Sequence, residues 1–576
     1  MSSMKGKPIV FTKIPRYSFF IVLLCSFSLL TTSNNVLSFH QTNEDSIRFQ
    51  ADLFTIESDA DFISYGFPGS GNASYPYIIE NYTISGNYQY GINIRNTTKH
   101  FIIRNCTILV DNGILVDDTA NDTVTIFNNT LGSTYSGIRV YNSNGCNITS
   151  NLCIDTGLFG IEVKECSSSI IDNNTCTDAS ESNIVVTSSP LSNVTNNYCS
   201  NALSYGMILQ QCNDATLINN TFQNDGLEIQ EAHSNYQTYT VLNNSVNGRP
   251  IGFFIKEDNI EITTPLYSQL YVISCTNFTI RNQDFFSTDT ALFVFNCSSI
   301  DIKDNSWNYN DKAFLIEICT DVSFVQNTVA LNDEIGSFSV LNLEIRDNYF
   351  WKNNGEGLRI KSSYEILILN NTIANNVFGI RIQSSRSLHI QNNDIIYNSY
   401  FGIEFHLSEI SNIINNTISY NDGAGIDLDN THDCIITYNY FVNNLDYGVA
   451  IHSASTMNFI HHNAFINNNP LEDSQALDSA VLNTWFEEAT QKGNYWSDWA
   501  GSFAYAIDGV VNSADLYPLS ELPVYGEENP DIPEEPPSND GPRKYAYYGF
   551  FAMIPFYGTI YAFIFRKRRI NRNRKV

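Results

Sequence analysis

The stretch Ile366-Leu-Ile-Leu-Asn-Asn-Thr-Ile-Ala-Asn-Asn-Val-Phe-Gly-Ile-Arg-Ile-Gln-Ser-Ser-Arg-Ser387 decides the fold. Ile366 and Ile368, then Ile373, then Ile380 and Ile382 fall in three short runs in which apolar and polar positions alternate. Period two is the mark of a strand with one buried face, and each run is too short for a helix. Ile, Val, Thr and Phe dominate, which suits a pleated surface. Three short strands in a unit of about 22 residues describe one coil of a parallel β-helix, whose coils stack at about 4.8 Å.

The unit recurs. Gly-hydrophobic-x-hydrophobic appears at Gly91, Gly137, Gly160, Gly379, Gly402, Gly425 and Gly448, and Asn-Asn precedes it at 128–129, 173–174, 196–197, 219–220, 370–371, 392–393 and 415–416. A fixed period in this range is the signature of a repeat architecture in which each unit buries its face against its neighbours. The asparagines predict a bend, because Asn tolerates the left-handed backbone region, and a ladder, because stacked amides hydrogen-bond from coil to coil. The glycines are expected to serve the same bend. The expectation is an all-β chain, a single right-handed parallel β-helix of about sixteen to eighteen coils and roughly 80 Å. The glycine spacing widens between Gly252 and Ala291, so residues 257–270 read as an inserted loop or an expanded coil.

Domain limits follow from composition. Lys5, Lys7, Lys13 and Arg16 precede an apolar run, so residues 1–40 read as a signal peptide, with an uncleaved anchor as the alternative. Residues 41–90 enter the rod, 91–470 hold the coils, 471–525 close it, and the Pro/Glu-rich 526–544 forms a stalk. Residues 545–565 are apolar and long enough to span a bilayer, and the basic tail 566–576 points to the cytoplasm. This predicts a single-pass membrane protein with its β-helix outside the cell or in the periplasm.

The net charge is −29, but the four Lys/Arg of 1–16 and the nine of 543–576 flatter it. Without them 18 basic residues face 60 acidic ones, a balance of −42. That disfavours nucleic acid and anionic lipid as partners. Cys153, Cys176 and Cys199 share one column, and Cys297 and Cys319 another. A buried stack of thiols is favoured over disulfides, and no CxxC pair points to zinc. Sequons are abundant, but many begin on the first Asn of a ladder pair, expected to point inward. Asn72, Asn81 and Asn96 are the candidate glycosylation sites.

Positions two and four after each glycine face outward and stack into columns. One column reads Arg359, Arg381, Glu404, Asp427, Ala450, and the other Lys361, Gln383, His406, Asp429, His452. Glu404, Asp427, Asp429 and His406 are the candidate catalytic set, since paired carboxylates suit glycosidic chemistry. Arg359, Lys361, Arg381, Gln383 and His452 are the candidate ligand contacts. With Asp422 or Asp433, the carboxylates could take calcium instead. A polar face that only keeps the rod soluble is the plain alternative.

Two segments outside the coils are more specific: Gly66-Phe-Pro-Gly-Ser-Gly-Asn72 with Tyr75-Pro-Tyr-Ile-Ile79, and Gly493-Asn-Tyr-Trp-Ser-Asp-Trp499 with Asp515-Leu-Tyr-Pro-Leu519. With the intervening Ile-x-x-Asn-Asn-x-Ile coils, residues 50–520 resemble the NosD-like right-handed β-helix proteins of cell surfaces and the periplasm. The resemblance implies that the later segment closes the rod by aromatic packing and the first opens it. It also implies periplasmic copper handling. Copper(I) wants Cys, Met or clustered His, whereas this chain has five Met, two of them before the signal core and one in the span, so copper is not expected. His452, His461 and His462 are the residues a metal would use. Related β-helices bind or hydrolyse carbohydrate. The resemblance therefore implies a polysaccharide or glycan partner, or another surface protein; the expectation is a binding protein or a structural, adhesive rod, with a polysaccharide lyase or glycoside hydrolase as the enzymatic alternative and copper handling third.

Overall fold

A computed structural model describes residues 49–50 and 54–524, apart from Asn87 and residues 133–134, 233–234, 472–473 and 502. The signal peptide, stalk, membrane span and basic tail read from the sequence lie outside the described residues. Among the described residues, no helix is long and apolar enough to cross a membrane.

The chain is an all-β right-handed parallel solenoid of about 17 turns. One coil runs through strands Glu356–Lys361, Tyr364–Leu369 and Thr372–Ala374, and the next repeats it at Phe378–Gln383, Arg386–Gln391 and Asp394–Ile396. Alternation sorts the side chains as expected. Leu358, Ile380, Ile403, Ile426 and Val449 are Cα register partners in succession, and each is fully buried. Burying each such aliphatic side chain contributes about 1.5–3 kcal/mol as an upper estimate.

The paired asparagines divide their work. The first of each pair supplies the bend: Asn370, Asn392 and Asn415 have φ of 54°, 56° and 53°. The second is buried and carries the ladder. Asn371, Asn393, Asn416, Asn439 and Asn463 each donate Nδ2 to the next Oδ1 at 2.9–3.0 Å, ending on Asn494. A parallel ladder runs from Asn376 through Asn398, Asn421 and Asn444 to Asn468. The first asparagines therefore do not point inward; Asn128, Asn173 and Asn370 are exposed.

The glycines differ from expectation. Gly379, Gly402 and Gly425 do not occupy the left-handed region. They are required because a Cβ on Gly402 or Gly425 would stand 2.5 Å from the carbonyl oxygen of the glycine in the next coil. Close stacking of coils, not the bend, fixes this residue. The cysteines behave as expected: Cys153, Cys176 and Cys199 are register partners, and every described cysteine is free and buried.

The stack is not uninterrupted. Residues 257–270 are not a plain loop, since Asp258–Ile262 is a strand paired in parallel with Thr276–Arg281. The break comes just before it, where Val246 and Arg249 pair antiparallel across a tight turn at Asn247-Gly248. Here the apolar interior divides into two clusters. Tyr271, Phe293 and Phe295 of the later coils pack into the earlier cluster, with Tyr236 5.7 Å from both Phe rings. Asp289 reaches across to accept the backbone N–H groups of Gly206 and Gly226, each at 2.8 Å.

Both ends are closed by aromatic packing. At the start, Phe62 stacks on Tyr77 at 4.7 Å and packs on Phe67 and Phe101. At the end, rings stack in series: Phe441 on Phe465, Phe465 on Trp496 at 4.2 Å, and Trp496 on Tyr505 at 3.9 Å. Trp496 Nε1 and the Asn494 backbone N–H both donate to Asp515 Oδ2. Gly493 has no room for a Cβ beside the Asp515 carboxylate.

Candidate functional site

The outward column survives folding as a charged strip. Arg359, Arg381, Glu404 and Asp427 are successive register partners, as are Lys361, Gln383, His406 and Asp429. Within the strip the charges pair along the rod. Arg381 forks onto Glu404, with Nη2–Oε1 at 3.3 Å, and its Nη1 donates to Glu356 at 3.1 Å. His406 Nδ1 meets Asp429 at 2.8 Å, and His452 Nε2 reaches back to Asp427 at 2.7 Å. Asp427 is only 8% exposed at its side chain, under the imidazole of His452.

This environment shifts the acids and the base in one direction. Burial foremost raises the Glu404 carboxyl above the usual range, and Asp427 and Glu356 add to it against Arg381. Burial also raises Asp446, with Asp427 adding to it. The hydrogen bond to Asp427 raises His452. A raised folded pKa contributes stability that is full below the unfolded value, about 6.5 for His, and is lost as pH rises through the folded value. The melting-temperature gap between wild type and His452→Gln is therefore expected to be widest below pH about 6.5 and to shrink above it. The pair is worth about 1 kcal/mol after allowance for the half-exposed ring. A gap that stays flat from pH 5 to 9 would refute the assignment.

Beside the strip runs an aromatic shelf that the sequence reading missed. Phe378 packs on Tyr400 and Phe401 at 5.0 and 6.3 Å, and the Arg381 guanidinium lies over Phe378 at 4.3 Å. Glu356 and Phe378 share the position just before the glycine, which was the available signal. On the other side, a corner groove crosses several coils, lined by Ser362, Tyr364, Ser384, Arg386, Leu407 and Glu409. It follows directly on Lys361, Gln383 and His406 in the chain.

The remaining candidates lie apart. Among the described residues, Glu404, Asp427, Asp429, Asp422 and Asp433 do not converge as a three-donor set; the one group that does is His461, His462 and Glu487. His452 is committed to Asp427 and is not in that group. Asn72 and Asn96 are exposed and Asn81 is half-buried. Asn72 Oδ1 accepts the backbone N–H groups of Ser74 and Tyr75, an Asx turn.

Comparison with known proteins agrees with this architecture. The family model "Right handed beta helix region" matches residues 112–264 and 258–409. The model "Periplasmic copper-binding protein (NosD)" matches residues 365–501. No curated protein sequence matches the chain. Among solved structures, it is similar to the A-module of mannuronan C-5 epimerase AlgE6 of Azotobacter vinelandii, at 11% identity over 70% of this chain and 91% of that one, with a TM-score of 0.30. It is also similar to the periplasmic alginate epimerase AlgG, at 10% identity over 66% and 81%, TM-score 0.20. Tailspike protein 3 of bacteriophage CBA120 matches at 11% identity over 78% and 62%, TM-score 0.22. At these scores the likenesses carry no argument about chemistry.

Proposed function

Because the chain belongs to the right-handed β-helix repeat family and is NosD-like over residues 365–501, we propose that it binds an extended polysaccharide along the strip from Arg359 to His452. The observation that carries this reading is the continuity of strip, shelf and groove across successive coils. Each coil presents one outward polar or charged group per column at the strand spacing of about 4.8 Å, changing from Arg359 and Arg381 to Glu404 and Asp427 along the rod, so an extended polymer lying on the strip meets a contact at every coil. An open face offers many shallow contacts and suits a long flexible chain better than a small molecule, which needs a concave pocket. The overall charge favours a neutral polymer, or an acidic one met at the Arg359–Lys361 end.

A second reading, a polysaccharide lyase or glycoside hydrolase, is favoured by one detail. Glu404 and Asp427 are neighbouring carboxylates, and Glu404 holds its proton to a higher pH than usual. A carboxyl that keeps its proton beside a second carboxyl group is what a general acid in glycosidic chemistry needs. His406 and Asp429 would then orient the polymer. We also propose, from the apolar span 545–565 and its basic tail, that the protein is anchored in the membrane with its β-helix outside. Protease accessibility on intact cells tests this, and protection of the β-helix would overturn it.

The purified protein should retard one polymer in a panel of neutral and acidic polysaccharides, tested with and without calcium, and leave polymer length unchanged. Arg381→Ala should weaken that binding by about 2 kcal/mol, roughly thirtyfold. Shortening of a polymer that disappears in Glu404→Gln would make the protein an enzyme. No retardation by any polymer would leave the strip as a solvated face.

A further inference from the structure

His461 and His462 are consecutive, and in a regular strand their side chains would face opposite ways. They do not. His462 adopts φ of 55°, and this left-handed residue turns its ring onto the same side as His461. The two Nδ1 atoms lie 2.7 Å apart. Tyr438 of the preceding coil stacks on His462 at 5.1 Å and fixes its plane. The backbone N–H of His462 donates to the Gly493 carbonyl at 2.7 Å, tying the pair to the closing segment.

Glu487 comes from that segment. It sits on a hairpin closed by reciprocal backbone hydrogen bonds with Lys492. Thr490 donates to its Oε2 at 2.5 Å and orients the carboxylate. One donor atom from each of His461, His462 and Glu487 lies within 4.8 Å of the others.

We propose that His461, His462 and Glu487 form a binding site for one divalent transition ion of the zinc and copper(II) class. Two imidazoles and a carboxylate are borderline donors that suit those ions, and lack the thiolate or thioether that copper(I) prefers. Three protein ligands leave a further position for water or an outside ligand. The bound ion joins the last coil to the closing segment. The site is independent of the strip and of any polysaccharide.

The test uses the full-length chain in detergent, stripped with chelator and titrated with zinc chloride and, separately, copper(II) chloride. One equivalent should bind saturably, the copper form should show nitrogen hyperfine coupling in its electron paramagnetic resonance spectrum, and zinc should raise the melting temperature. Glu487→Gln changes a surface carboxylate and so keeps the fold; it should weaken binding roughly tenfold or more and abolish the thermal shift. His461→Gln should remove binding, while His406→Gln and His452→Gln keep it. Absence of a one-equivalent event in the wild type, or undiminished binding by Glu487→Gln and His461→Gln, would overturn the proposal. Loss in His452→Gln alone would also overturn it, by moving the metal to the strip.

Discussion

Trp496→Ala is expected to lower the stability of the C-terminal coils by about 3–5 kcal/mol, the usual cost of emptying a buried Trp site. The indole is 2% exposed and lies between Phe465 and Tyr505 at the end of the stack. Its loss opens a cavity and leaves Asp515, already raised by burial, without the Nε1–H donor. In a solenoid each coil leans only on its neighbours, so damage at a cap spreads inward from that end. Hydrogen exchange should show coils near residues 440–470 losing protection while those near residues 100–200 keep theirs. Uniform loss along the chain, or none, would contradict the capping role.

Asn416→Ala should be of similar size, and Asn415→Ala much smaller. Asn416 Oδ1 accepts the backbone N–H and Nδ2 of Asn393, and its Nδ2 donates to the Ile390 carbonyl, all at 2.9 Å. Alanine strands the Asn393 N–H and the Ile390 carbonyl inside the stack. Each orphaned buried group costs about 1–3 kcal/mol, so the sum is on the order of 4 kcal/mol. Asn415 makes only an outer amide bond to Asn392, and replacing it costs about 1 kcal/mol for a left-handed residue without Asn's tolerance. Denaturant midpoints of the two variants test the contrast. Equal midpoints would mean that the inner ladder does not hold the coils.

The candidate site was legible in its columns but not in its pairings. Position after glycine is enough to bring Arg381, Glu404 and Asp427 into line, because parallel in-register stacking maps sequence period onto space. It does not reveal that His452 folds back over Asp427, which depends on the chain turning away after Ile451. Nor does it bring Glu487 to the histidine pair, since that carboxylate arrives on a hairpin outside the repeat. Phe378, Tyr400 and Phe401 were passed over because they sit where the glycine strand begins, a position that varies from coil to coil.

By itself the sequence determined the repeat, the strand faces and the thiol stack, while the closing segments were legible only through a family resemblance. The first three follow from local periodicity, and a parallel stack preserves a local period once per coil. Tertiary structure decided what depends on contact between coils. Glycine is excluded from substitution by the neighbouring coil's carbonyl, not by its own backbone angle. The inner or outer role of each asparagine follows from which of two adjacent residues takes the left-handed bend. At Asn247-Gly248 a tight antiparallel turn between Val246 and Arg249 replaces the parallel register, and how the coils on either side then pack, with Tyr271, Phe293 and Phe295 reaching into the earlier cluster, is set by contacts no single repeat encodes.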